Sequence, residues 1–176
     1  MFMVLFRATL VLLALLSLAV LGHAEPRRFT MFGGQLVRPT TLAGAASVEL
    51  GGGGALYATP RFYWGGGGGT VFQLGTPTAG RDLELRHGEL MVGYDVVQRP
   101  RLRVSAMALA GLAMTKQHSG VFAMSEARVA VRRPVTKWFM LGAHAGYRRA
   151  IAADLPMMDD ADVSGAIAGL ELYFTK

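Results

Sequence analysis

Between positions 101 and 115 the chain alternates with a period of two. Leu102, Val104, Ala106, Ala108, Ala110, Leu112 and Met114 fall on one face of an extended strand, and Arg101, Arg103, Ser105, Met107, Gly111 and Thr115 fall on the other. The same sorting recurs over 120–132, where Val121, Ala123, Ala127, Val129 and Val131 lie opposite Glu126, Arg128 and Arg132. It returns over 162–174, where Ala166, Ala168, Leu170, Leu172 and Phe174 lie opposite Gly165, Gly169, Glu171 and Tyr173. No segment beyond the first 24 residues holds a helical 3.6-residue period for long or runs apolar for the length of a membrane helix. The pattern therefore predicts an all-β chain whose strands carry small aliphatic groups on one side and ionisable groups on the other.

Residues 1–24 stand outside that pattern. Arg7, an apolar run over 9–21 and the small-x-small sequence Gly22-His23-Ala24 have the layout of a cleaved export signal. Cleavage after Ala24 leaves 25–176 as a single domain outside the cytoplasm. The chain has no Cys, which excludes a disulfide scaffold and Cys-ligated zinc, so stability must come from a core or a closed sheet. A hydrophobic content of 52% with mean hydropathy +0.34 excludes a disordered tail.

Proline and polar breaks then divide the chain. Tight breaks fall at Thr59-Pro60, Gln98-Arg99-Pro100 and Arg133-Pro134-Val135, and longer or more polar ones at 39–42, 76–83, 116–119 and 149–161. Taken as hairpin ends, they predict eight antiparallel strands at about 28–38, 43–58, 61–75, 84–97, 101–115, 120–132, 136–148 and 162–174. Two glycine runs bear on the count: Gly51, Gly52, Gly53, Gly54 and Gly65, Gly66, Gly67, Gly68, Gly69. Read as loops, they raise the strand number to nine, and read as strand they keep it at eight, the even number of bacterial single-chain membrane barrels. Folding the second predicted strand onto the third around Thr59-Pro60 sets the two runs opposite each other, a bare band that permits a sharp bend or a close approach.

With its export signal, alternating strands, short turns on one side and closing segment Leu170-Glu171-Leu172-Tyr173-Phe174, the chain resembles the small eight-stranded outer-membrane β-barrels of Gram-negative bacteria, the OmpA/OmpX-type architecture. The resemblance covers nearly all of 28–176 and is one of architecture. It departs at the end, where Thr175-Lys176 follow the closing aromatic. It implies a closed antiparallel up-and-down eight-stranded transmembrane β-barrel in the outer membrane, porin-like in build, assembled by the barrel assembly machinery and in contact with outer-membrane lipid and lipopolysaccharide. A soluble barrel with inverted polarity, its apolar face lining a ligand cavity, satisfies the same alternation. Phe29, Phe62, Trp64, Phe72, Tyr94, Trp138, Phe139, Tyr147 and Phe174 lie near strand ends, where a membrane barrel places its aromatic girdles.

In the membrane arrangement the charged face fills the lumen. Register counted from the tight turns puts Asp95 across from Arg103, and Glu126 opposite Gly142 and diagonal to His144. The expected lumen network is Asp95, Arg103, Glu126, Arg128 and His144, with Glu49, Glu89 and Glu171 as further candidates. An eight-stranded interior is just wide enough for side chains, so these charges are expected to fill it. The expected role is structural or surface-interacting, as a monomer with no cofactor, no metal and no nucleic-acid partner.

A lipid A-modifying enzyme is one alternative and a small apolar-ligand carrier is the other. His118-Ser119 and Glu126 supply nucleophile and base types, but along one strand direction His118 and Glu126 lie roughly 26 Å apart, too far for a hydrogen bond. The glycine runs lack the Lys-Ser/Thr and the strand-to-helix context of a phosphate loop. Asp154, Asp159, Asp160 and Asp162 gather in the longest loop without EF-hand spacing and read as a solvated acidic loop. Arg61, Arg99, Arg101, Arg132, Arg133 and Lys137 gather at the tight-turn end as a basic rim on the periplasmic side, while loops 76–83 and 149–161 face outward.

Overall fold

A computed structural model describes residues 31–74, 83–116, 120–151 and 159–176, so the predicted export signal, loop 76–83 apart from Leu83, and most of the loop before the last strand lie outside the described residues. Eight strands follow one another: β1 (Met31–Leu42), β2 (Ala45–Tyr57), β3 (Phe62–Gln73), β4 (Glu84–Arg99), β5 (Leu102–Thr115), β6 (Val121–Pro134), β7 (Phe139–Ile151) and β8 (Gly165–Thr175). Each pairs antiparallel with the next and β8 closes on β1, which makes a closed up-and-down barrel. One helical turn, α1 (Asp160–Val163), precedes β8 and is capped by the Asp159 side chain. The last predicted strand therefore starts three residues late, because Asp159 and Asp162 form a reciprocal capping box instead of extending.

Two turns lie elsewhere than proline placement predicts. β1 continues through Pro39 to Leu42, and the chain reverses at Ala43 and Gly44, both with positive φ as a two-residue hairpin turn of the primed type requires. Pro39 is tolerated because Met31 bonds toward β8 and alternate residues share that direction, so the Pro39 nitrogen points to a side where pairing has already ended at Val37–Leu170. Pro134 likewise ends β6 instead of breaking it earlier, opposite Met140. The turn becomes 135–138, held by Val135 and Thr136 amides donating to the Phe139 carbonyl.

Both glycine runs are strand. Gly51 pairs with Gly69, Gly52 with Gly68, Gly53 with Gly67 and Gly54 with Gly66, while Gly65 faces Ala55, one residue from the predicted register. Gly65 has no room for a side chain, since a Cβ there would lie 2.0 Å from the Gly54 carbonyl oxygen. Gly93 is bare for another reason: the Tyr63 ring lies where its Cβ would be.

The two faces sort cleanly. Leu90, Leu112 and Leu170 are 74%, 60% and 68% exposed, whereas Arg38, Glu49, Asp95 and Arg132 are fully buried. Polarity is inside and apolar surface outside, which excludes the inverted, soluble arrangement. Phe62, Trp64, Phe72, Tyr94, Trp138, Tyr147 and Phe174 are exposed near strand ends, and Trp138 stacks on Phe174; Phe29 lies outside the described residues.

Candidate functional site in the barrel interior

The interior is layered. Toward the tight turns, Phe32, Ala55, Tyr63, Met107, Leu109, Ala130, Met140 and Tyr173 form one apolar cluster. Toward the longer connections, Leu42, Val71, Leu85, Ala113, Phe122, Ala150 and Val163 of α1 form another. β1, β3, β5, β6 and β7 contribute an inward residue to both clusters, and the lumen charges lie at inward positions between the two.

At the centre, four side chains from opposite walls form a ring. Arg38 of β1 donates to Glu49 of β2 through Nε and a terminal nitrogen at 2.8 and 2.7 Å, and to Glu126 of β6 at 2.8 and 3.1 Å. Arg148 of β7 donates to the same two carboxylates, each at 2.6 Å. Every charge is thus shared by two opposite charges, the arrangement that compensates desolvation in a low-dielectric interior. Arg128 extends the ring by donating to Glu126 at 2.6 Å and to Glu89 at 3.1 Å. His87 Nε2 lies 3.0 Å from Glu49, and its Nδ1 is 3.9 Å from Glu89 without a hydrogen-bond partner.

Nearer the tight turns, Glu171 lies 3.1 Å from His144 Nδ1 and accepts from the Tyr173 hydroxyl. Arg132 is held over three rings, Tyr173, Phe32 and Tyr63, at 4.6, 4.8 and 5.5 Å from their centroids. Asp95 accepts from Arg103 at 3.0 Å, from the Tyr57 hydroxyl at 2.8 Å, from Ser105 at 2.6 Å and from Gln98 at 2.9 Å. In all, the carboxylates Glu49, Glu89, Asp95, Glu126 and Glu171 face the guanidinium groups Arg38, Arg103, Arg128, Arg132 and Arg148, so the signs balance within the lumen.

Asp95 and Arg103 are therefore joined, although a β-bulge between Asp95 and Val97 shifts the ladder and puts Ser105 directly opposite Asp95. Glu126 sits opposite Arg148, not Gly142, and His144 opposite Ala130, because the β6–β7 turn lies further along than Pro134 implies. Arg132 belongs to the lumen and not to the basic rim. Sequence reasoning missed Arg38, Arg148, His87 and Tyr57. Arg38 and Arg148 are the last residues of their predicted strands, 28–38 and 136–148, where the pattern gives an end of the barrel, whereas β1 and β7 run on to Leu42 and Ile151 and set both near mid-height. His118, Ser119 and Asp154 lie outside the described residues. Among the described residues, no group of three or more His, Asp or Glu side chains is arranged to hold a metal ion.

The glycine runs leave the β1–β3 wall bare on both faces. Inside, a small cavity of about 50 Å³ opens against Gly34, Gly53 and Gly67, with His87, Glu89 and Arg128 on its far side. Outside, a groove of about 620 Å³ lies over Gly33, Gly54 and Gly66.

No protein-family description and no curated protein matches the chain. Solved structures do. Neisserial surface protein A superposes with a TM-score of 0.65 at 11% identity, over 83% of this chain and 95% of that one. A de novo designed transmembrane β-barrel superposes with a TM-score of 0.50 at 12% identity, over 86% of this chain and all 100% of that one. At such identities the likeness is one of fold, and it agrees with the polar interior and apolar exterior: the chain has the fold of the small eight-stranded transmembrane β-barrels.

Proposed function

We propose that this protein is an outer-membrane β-barrel with a structural or surface-interaction role, its lumen closed to solutes. The observation that carries this reading is the ring of Arg38, Glu49, Arg148 and Glu126, which ties β1 and β2 to β6 and β7 across the middle of the barrel. With an apolar cluster on either side of the ring, a hydrated ion would have to displace paired charges and then cross a dry layer twice. Strands of 11–16 residues meet or exceed the 9–11 or so that a tilted strand needs to cross a bilayer. The apolar outer face and aromatic strand ends fit that placement. Glu126 is engaged by three guanidinium groups and has no free edge for proton transfer, so the enzymatic alternative gains no support from it.

The test has two parts. The protein is expected in the outer-membrane fraction with heat-modifiable electrophoretic migration, and recovery from the soluble periplasm overturns the location. Reconstituted into planar bilayers it is expected to give no discrete conductance steps, and stepwise current from the unaltered protein overturns the closed lumen.

A further inference from the structure

The outer groove is a built feature of the wall and not a gap between side chains. Gly33 of β1 pairs with Gly54 of β2, which pairs with Gly66 of β3, so three bare positions lie side by side at one level. Phe174 stands at one end of the row opposite Gly33, and Leu90 at the other opposite Gly66. Below the row, toward the tight turns, Met31, Leu56 and Trp64 form an exposed apolar sill. The groove's volume, about 620 Å³, falls among those of ligand pockets, roughly 300–1,000 Å³. Its lower edge ends at Lys176, which is fixed to β1 because its amide donates to the Met31 carbonyl at 3.2 Å.

That end of the barrel is one-signed. Arg61, Arg99, Arg101, Arg133, Lys137 and Lys176 ring it, and the side-chain carboxylates nearest it among the described residues, Asp95 and Glu171, are buried in the lumen. We propose that the groove binds an acyl chain of an anionic glycerophospholipid of the periplasmic leaflet, its phosphate held at Lys176. The proposal rests on the membrane placement above. Charge decides between the occupants an apolar groove could take. A second copy docked about an axis along the membrane normal would bring two basic rims together at the same level, where like charges repel, whereas an anionic headgroup at the rim is attracted.

The test is native mass spectrometry of the barrel released from mixed micelles that hold phosphatidylglycerol and phosphatidylcholine in equal amounts. The unaltered protein is expected to retain one phosphatidylglycerol in preference to phosphatidylcholine. Gly33→Leu fills the floor, and its Cβ comes no nearer than 3.4 Å to the Gly53 carbonyl, so the strand accepts it; retention of both lipids is expected to fall about tenfold, the worth of about two displaced methylenes. Ala108→Leu, outward on β5 across the barrel, is expected to leave retention unchanged. Lys176→Glu is expected to lower the preference for phosphatidylglycerol about fivefold while phosphatidylcholine retention holds. Equal retention by the unaltered protein and Gly33→Leu, or an unchanged lipid preference in Lys176→Glu, overturns the proposal. A dimer that Gly33→Leu dissolves assigns the groove to a second copy and overturns it also. Failure of the protein to enter bilayers at all is a separate result, against the membrane placement itself.

Discussion

Glu126 accepts from Arg38, Arg128 and Arg148 at 2.6–3.1 Å, and no water-facing surface relieves it. Removing its charge leaves three guanidinium groups sharing fewer carboxylates in a dry interior. Breaking a buried pair typically costs about 3–5 kcal/mol, so Glu126→Gln is expected to lower the unfolding free energy of the reconstituted barrel by that order, read as a lower urea midpoint. Lys116, whose 3.4 Å contact with Glu84 is exposed, is the contrast: Lys116→Ala is expected to leave the midpoint in place. Asp95 has four donors, so Asp95→Asn is also expected to destabilise. A double-mutant cycle with Arg103→Gln is expected to give a coupling of about 0.5–3 kcal/mol, and additivity would show that the pair does not act as one. The Asp95–Arg103 pair is legible in the sequence because a short turn brings the two residues together. Arg38 and Glu126 are 88 positions apart, and alternation gives the face each occupies but not its height in the barrel.

Strands were legible because period two survives wherever one face meets lipid-like surroundings and the other meets charge; registers were not, because they depend on turn chemistry and bulges. Pro39 and Pro134 read as strand breakers, yet each sits where its missing N–H costs little: Pro39 beyond the β1–β8 ladder and Pro134 at the last position of β6. The bulge at Asp95/Val97 carries no composition signal at all. The glycine runs were ambiguous for a physical reason, since glycine has no side chain to reveal a face, and their role is close approach between strands. Gly65→Ala would set a methyl 2.0 Å from the Gly54 carbonyl oxygen and 2.6 Å from the Ala55 Cα. It is expected to reduce the folded, heat-modifiable fraction sharply. Gly33→Ala, with 3.4 Å of room, is expected to refold like the unaltered chain. Equal folding of the two would show that the band tolerates bulk and that its tight spacing is not needed.

At the scale of the whole molecule the two ends differ in both length and charge. The turns at 58–61, 100–101 and 135–138 lie with both strand termini, β1's start and β8's end, and with the basic rim. The longer connections at 74–83, 116–120 and 152–164 lie at the other end, together with the two-residue turn at Ala43–Gly44, Glu84, Lys116 and the acidic turn of α1. Barrels of this architecture keep short turns on the periplasmic side and long loops outside. The sequence contains no cysteine, so single cysteines report position without background. Lys116→Cys in the β5–β6 connection and Lys137→Cys in the β6–β7 turn are both exposed and belong to opposite ends. A bulky maleimide that cannot cross the outer membrane is expected to label Lys116→Cys in intact cells. It is expected to reach Lys137→Cys only after the membrane is permeabilised. The reverse pattern would put the basic rim at the cell surface, opposite the phospholipid leaflet, and would remove the glycerophospholipid headgroup from the groove beneath Lys176. Labelling at both sites in intact cells would mean that the barrel does not span the membrane. Orientation thus joins the two ends of the inference: the lipid that can reach the glycine row depends on which side the short turns face.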